Sequence, residues 1–210
     1  MNVNYQKKLE ELVESLDYTP KLLLHSCCAP CSSRCIEYLS NYFDITVIYY
    51  NPNISPITEY EKRKEEQKKF ISEFKSKNKL DFIEVGYDYN DFLKIAKGLE
   101  HAKEGGERCF KCYRMRLEKT AQVAHDRNYD YFGTTLTVSP YKNSQVLNKI
   151  GEELSEKYNI KYLYSDFKKN NGYKRSIELS KVYNLYRQDY CGCIYSKMER
   201  DEKIEKLKNL

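Results

Sequence analysis

The feature that most constrains this chain is an alternation of short apolar runs with helical stretches, repeated five times along 210 residues. Runs at 21–25, 45–50, 81–86, 130–135 and 160–164 have the length and apolar character of buried strands. Helical spacing fills the intervals at 4–16, 58–77, 88–97, 112–127, 144–158 and 173–186, and a last helix covers 195–208. Ser32 and Ser33 are placed to cap a further helix that runs to about residue 41. Strands joined through helices run parallel, because the crossover returns each strand in the same direction. The pattern predicts an α/β fold over residues 1–210, a single domain with a Rossmann-like parallel sheet and helices on both faces. In such sheets ligands bind beyond the carboxyl ends of the strands.

Composition narrows the setting. A charged share of 32% gives a solvated surface, and every apolar run falls well short of the roughly 20 residues that span a bilayer. No membrane partner is expected. Glu10, Glu11, Glu14 and Asp17 interrupt the first twenty residues, so these do not read as a secretory signal. The expected location is cytoplasmic, where thiols are kept reduced. Eight cysteines then read as metal ligands or redox catalysts rather than as a disulfide framework. The net charge of +5 admits an anionic partner without requiring one.

The cysteines fall in three groups, at 27, 28, 31 and 35, at 109 and 112, and at 191 and 193. Cys27 and Cys28 end the first strand, and a turn at Ala29-Pro30 lets both face one site. The Cys109–Cys112 spacing lets two thiolates meet one metal. The two pairs supply four thiolates, enough for a cubane cluster or for a zinc ion that staples the loops. Cys31, at a helix start, is placed for thiolate chemistry or an additional metal. Cys35 reads as a buried small apolar residue. A Cys191–Cys193 bridge across Gly192 closes a tight ring, easily reduced and suited to carrying two electrons, with a second pair of metal ligands as the alternative.

Three separated motifs carry a resemblance. They are H-x-C-C-A-P-C-S from His25, R-C-x-x-C-Y-x-x-R-L from Arg108, and D-Y-C-G-C-x-Y-S from Asp189. Tyr49-Tyr50-Asn51-Pro52-Asn53-Ile54, Thr134 to Pro140 and Tyr186-Arg187-Gln188-Asp189-Tyr190 fit as well. The chain resembles the QueH-like epoxyqueuosine reductases over about residues 20–200. The resemblance implies an adenine nucleotide alpha hydrolase-like fold, a [4Fe–4S] cluster on Cys27, Cys28, Cys109 and Cys112, and a redox-active Cys191–Cys193 pair. It also implies reductive removal of the epoxide oxygen from epoxyqueuosine in the anticodon of tRNA, the last step of queuosine biosynthesis, fed by an external electron donor. Where ATP-using relatives of that fold carry a glycine-rich phosphate loop, this chain has cysteines and a proline. That substitution argues against the alternative of an iron–sulfur tRNA thiolation enzyme; a non-catalytic, zinc-stapled RNA-binding module is the other alternative.

The reaction needs electrons, an electrophile for oxygen and protons. Four protein thiolates saturate a cubane, so either one dissociates or Cys31 and a carboxylate hold an additional iron. Asp189, His25 and Tyr190 are the candidate proton donors. For RNA phosphates the candidates are Lys142, Lys168, Lys169, Lys174, Arg175 and Arg187, with Lys174 and Arg175 preferred because 168–175 carries only basic charges. The mixed-charge stretch from Glu61 to Lys69 reads as a solvated helix face.

Overall fold

The computed structural model describes residues 3–208. In chain order it forms α1 (Tyr5–Glu14), β1 (Lys21–His25), α2 (Ala29–Leu39), β2 (Asp44–Tyr49), α3 (Ile57–Glu73), β3 (Leu80–Glu84) and α4 (Tyr89–Ala96). It continues with α5 (Glu107–Asp126), β4 (Tyr131–Thr134), a 3-10 turn (Thr135–Val138), α6 (Ser144–Tyr158), β5 (Lys161–Tyr162), α7 (Gly172–Val182) and α8 (Ile194–Lys208). All five strands are parallel, in the order β3-β2-β1-β4-β5. The chain winds outward from β1 to one edge and then crosses back to lay β4 on the other side of β1. The crevice at that reversal, beyond His25 of β1 and its register partner Thr134 of β4, is where the topology leaves room for a ligand.

Alternation along β1 divides the core. Leu22 and Leu24 pack with Leu9 and Val13 of α1, Ile36 and Leu39 of α2, and Phe70 of α3. Leu23 faces the other way, onto Leu117 and Ala121 of α5 and Leu147 and Ile150 of α6. Helices therefore cover both faces, as a wholly parallel sheet demands.

Among the boundaries that differ from those read in the sequence, three have a clear local reason. Helix α2 begins at Ala29 rather than after Ser32, because Pro30 suits the first turn of a helix and Cys28 takes the cap position in extended backbone. Ser32 and Ser33 are thus inside the helix, with hydroxyls turned back to the carbonyls of Ala29 and Pro30 at 3.1 and 3.0 Å. Helix α5 starts at Glu107, with Gly106 as its cap, so Cys109 and Cys112 both sit on its first turns. Helix α7 stops at Val182; Asn184 just beyond it takes a positive φ of 48°, which ends the helix.

Candidate active site

The loop after β1 presents the first thiols. Cys27 and Cys28 have sulfurs 3.9 Å apart. With Cys31, one turn into α2, they form the one group of three metal-binding donors among the described residues whose ligand atoms all lie within 4.8 Å of one another. The turn is locked from behind. Ser26 and Ser32 donate to Oε1 of Gln67 at 2.7 and 2.9 Å, and Asn51 donates to the Ser26 carbonyl at 2.8 Å. His25 is fully buried, with Nδ1 3.3 Å from the Thr134 hydroxyl and Nε2 3.2 Å from the Tyr50 carbonyl. Burial lowers its pKa to about 4. Its two ring nitrogens tie β1 to β4 and to the chain after β2, and none of its surface is exposed.

Hydrogen bonds within the triad hold Cys27 well below the ordinary thiol range, while the bond to Cys27 pushes Cys28 up to about 12 and bonds to both neighbours raise Cys31. Ionisation is thus favoured at Cys27 over its two neighbours. Cys31, expected from its place on the helix as a thiolate or a further ligand, stands within the candidate metal triad. Cys35 lies in the core, fully buried, and burial raises its thiol.

The second group is Cys109, Cys112, Cys191 and Cys193, which line one small interior space with Asn53, Arg108 and Arg116. The structure thus brings Cys31 to the expected pair Cys27–Cys28, and sets Cys109 and Cys112 beside the 191–193 loop. Cys191 links the groups, because it also borders the open pit lined by Cys27, Cys31, Lys142, Gln188 and Asp189. That pit has a volume of about 370 Å³. Cys193 is buried, and burial pushes its thiol up to about 11. All eight cysteines are free thiols.

Three arginines, each 1% exposed, surround these sulfurs. Arg63 of α3 pairs with Glu59 at 2.7 Å and donates to the carbonyls of Cys191 and Tyr190 at 3.1 and 3.4 Å. Arg108 donates to the carbonyls of Leu99 and Glu100 and pairs with Glu199 of α8. Arg116 donates to the Cys112 carbonyl, and its Nη2 has no partner within the protein. Burial opposes the charge of Arg116, yet the thiols of Cys112, Cys191 and Cys27 hold its pKa above the ordinary value. The stretch read as a solvated face, Glu61 to Lys69, instead buries Arg63, Lys64 and Gln67. Helix α3 has a polar inner face because it packs against backbone carbonyls and serine hydroxyls of the site.

The donor set suits an anionic metal centre. Buried guanidinium needs a compensating charge, and the unpaired Nη2 of Arg116 points to one that thiolates or a thiolate-bound metal would bring. A single tetrahedral ion with metal–sulfur bonds of about 2.3 Å holds its thiolates about 3.8 Å apart, close to the Cys27–Cys28 separation. Gln188 adds a contact from its Nε2 to the sulfur of Cys28 at 2.8 Å.

Other expected residues are placed as follows. Asp189 is exposed and ion-paired with Arg200. Tyr190 donates to the Ser55 carbonyl at 3.1 Å and packs on Arg63, a loop-holding role. Arg187 is exposed on the pit wall. Lys174 is exposed, whereas the Arg175 guanidinium is bonded to Glu37 and Glu178 and Lys168 to Asp166, so the 168–175 run offers less free charge than its sequence suggests. Lys142 does not face outward as a phosphate contact: its ammonium is 3.5 Å from the sulfur of Cys191. Arg63, Arg116, Gln67 and Gln188 were not singled out from sequence. Arg116 and Gln188 stand inside the quoted motifs, but spacing alone gave them no role.

Fold and site together define a class: a parallel α/β protein with a thiol-lined pit beyond the carboxyl end of its first strand. The fold is shared with a solved structure described as a predicted subunit of tRNA methyltransferase from Methanocaldococcus jannaschii, with a TM-score of 0.52 and 18% identity over 77% of this chain and 74% of that one. The profile described as Epoxyqueuosine reductase QueH matches residues 22–199. Relatives of that name from Staphylococcus epidermidis and Thermotoga maritima are 45% and 38% identical, covering 94% and 87% of this chain and 86% and 93% of their own. The chain belongs to the epoxyqueuosine reductase QueH family. Among the described residues no helix is long and apolar enough to cross a membrane.

Proposed function

We propose that this chain is an oxidoreductase that reduces epoxyqueuosine in tRNA to queuosine, with the thiol pit as its active site. The observation that carries the reading is the convergence of seven cysteines from three distant segments at the reversal of the sheet, one of them, Cys191, bordering both the open pit and the inner thiol ring.

Epoxide removal consumes two electrons and two protons and releases water and an alkene. A [4Fe–4S] cluster would be held by Cys27, Cys28, Cys109 and Cys112, with Cys31 available to an additional iron, and would supply single-electron transfer and a Lewis acid. The chain's own thiols balance the reaction. Oxidation of Cys191 and Cys193 to a disulfide yields two electrons and two protons, and an external donor then restores both thiols. Cys191 meets the substrate side and Cys193 stays buried as its partner. Lys142 reaches Cys191 with an ammonium, and burial is outweighed by the surrounding sulfurs and Tyr113 so that its charge is retained. It can hand a proton to the departing oxygen, while Asp189 stands at the pit wall as a carboxylate paired with Arg200. Exclusion of water falls to the narrow inner space around Cys109, Cys112 and Cys193.

Anaerobically purified protein should contain about four irons per chain, absorb near 400 nm, and convert epoxyqueuosine-containing tRNA to the queuosine form. Stoichiometric zinc without iron, and no turnover, would support a zinc-stapled binding module, the reading that the 3.9 Å sulfur separation otherwise favours. Cys191→Ser and Cys193→Ser should each fold and keep iron while losing turnover. Thiol trapping of the wild type across one turnover should find two fewer free thiols; loss of iron in either serine variant would make the pair cluster ligands instead.

A further inference from the structure

The pit is lined by an exposed aromatic and two cations without a carboxylate partner, which the chemistry inside does not use; of these, Arg187 donates to the Ser180 hydroxyl at 3.1 Å. Tyr141 is 77% exposed at the tip of the turn that follows the 3-10 segment, its amide bonded to the Ser139 hydroxyl at 3.3 Å. The next residue, Lys142, turns inward to Cys191, so this turn places one side chain at the reacting sulfur and its neighbour at the rim. Across the mouth, Lys203, Ile204 and Leu207 of α8 line the same pit, and Leu207 is 71% exposed. Among the described residues, neither Lys203 nor Arg187 has a carboxylate within ion-pair distance, whereas Arg175 has two.

A base can reach sulfurs at the bottom of such a pit only by leaving its stack, which uncovers the face of its neighbour. An exposed aromatic beside the opening can replace the lost stacking, and cations that lack carboxylate partners can neutralise the phosphates that flank the extruded nucleotide. We propose that Tyr141 and the pit-facing side of α8 seat the anticodon loop, Tyr141 stacking on the base adjacent to the one in the pit and Arg187 and Lys203 contacting its flanking phosphates. The proposal rests on the reading that the substrate is tRNA. It moves the RNA track from the 168–175 run to the rim itself.

The test is binding of a synthetic anticodon stem-loop RNA to the full, anaerobically purified chain, followed by fluorescence anisotropy over a salt series. Tyr141→Ala should weaken binding by about 5- to 150-fold, the effect of removing one base–aromatic stack. Tyr141→Phe, which keeps the ring face, should bind like the wild type. Lys203→Ala and Arg187→Ala should each lower the slope of log Kd against log salt by roughly 0.7 to 1. Arg175→Ala should leave that slope unchanged. Because Tyr141 is exposed, an unaltered circular dichroism spectrum and iron content are expected in its variants. Wild-type affinity in Tyr141→Ala, or equal weakening in the Phe and Ala variants, would overturn the seat while wild-type turnover on tRNA kept the enzyme reading intact. A wild type that neither binds the stem-loop nor turns over tRNA would overturn both.

Discussion

Arg63 shows how a single side chain can hold a loop that its own helix never touches by backbone. Its guanidinium reaches the carbonyls of Tyr190 and Cys191, and Gly192, whose φ is +125°, leaves that approach open. A Cβ at Gly192 would lie 3.1 Å from Nη1 of Arg63 and 3.0 Å from Ile54, so glycine is needed there both for its backbone angle and for space. Replacing Arg63 with Met leaves Glu59 without its partner and two carbonyls without a donor. We expect a loss of roughly 3–5 kcal/mol, the cost of breaking a buried ion pair from one side, measured as a lowered urea midpoint. Amide exchange should quicken at Ser55, whose N–H is bonded to the Gly192 carbonyl at 2.9 Å. None of this was legible in the sequence, where Arg63 sits within a run of alternating charges and the periodicity of α3 offers only a thin apolar stripe. Sequence patterns report apolar faces, and this helix has a polar inner one.

Between elements, the pairing of α2 with α7 rests partly on Glu37, bonded to Arg175 at 2.7 Å and to Arg34 at 3.1 Å. Partial burial works against the Glu37 carboxylate, yet the two guanidinium groups outweigh it and bring its pKa below the ordinary 4.5. A folded-state value below the unfolded one means that the unfolded chain takes up the proton first as pH falls. The pair's contribution is therefore complete above about 4.5 and is lost as pH drops through the lower folded value. Glu37→Gln should flatten the acid limb of stability against pH, read as urea midpoints across that window; an unchanged limb would remove the pair from the acid response. At the other face, α6 meets β5 through Gly151, where an added Cβ would stand 2.3 Å from the Tyr162 ring. Gly151→Ala should lower the melting temperature, at an overpacking cost of roughly 1–3 kcal/mol. The five strands followed from short apolar runs, and their parallel sense from the helical stretches between them. The fifth was read as 160–164 but pairs only at Lys161 and Tyr162, since strand pairing depends on a neighbour that local sequence does not display.

At the scale of the molecule, the segments that meet at the pit come from near both ends of the chain, and the thiol groups were legible as groups long before their partition was. Spacing suggested Cys27 and Cys28 with Cys109 and Cys112; the fold adds Cys31 to the first pair and the 191–193 loop to the second. That division depends on how far α5 stands from α2 across the sheet, which no local pattern encodes. A metal centre spanning both groups binds the folded chain and not the unfolded one, so stripping it with a chelator should lower the melting temperature and anaerobic reconstitution should restore it. An apo protein as stable as the loaded one would confine metal to a site outside this core. The contact between Gln188 and Cys28 joins positions 160 residues apart. A ribosome adding 5–20 residues each second takes roughly 10 to 30 s to make that length. During synthesis the first sulfurs therefore emerge well before the loop that closes over them. Any metal delivered to the finished chain would reach Cys27 and Cys31 through the open pit, past Lys142 and Gln188.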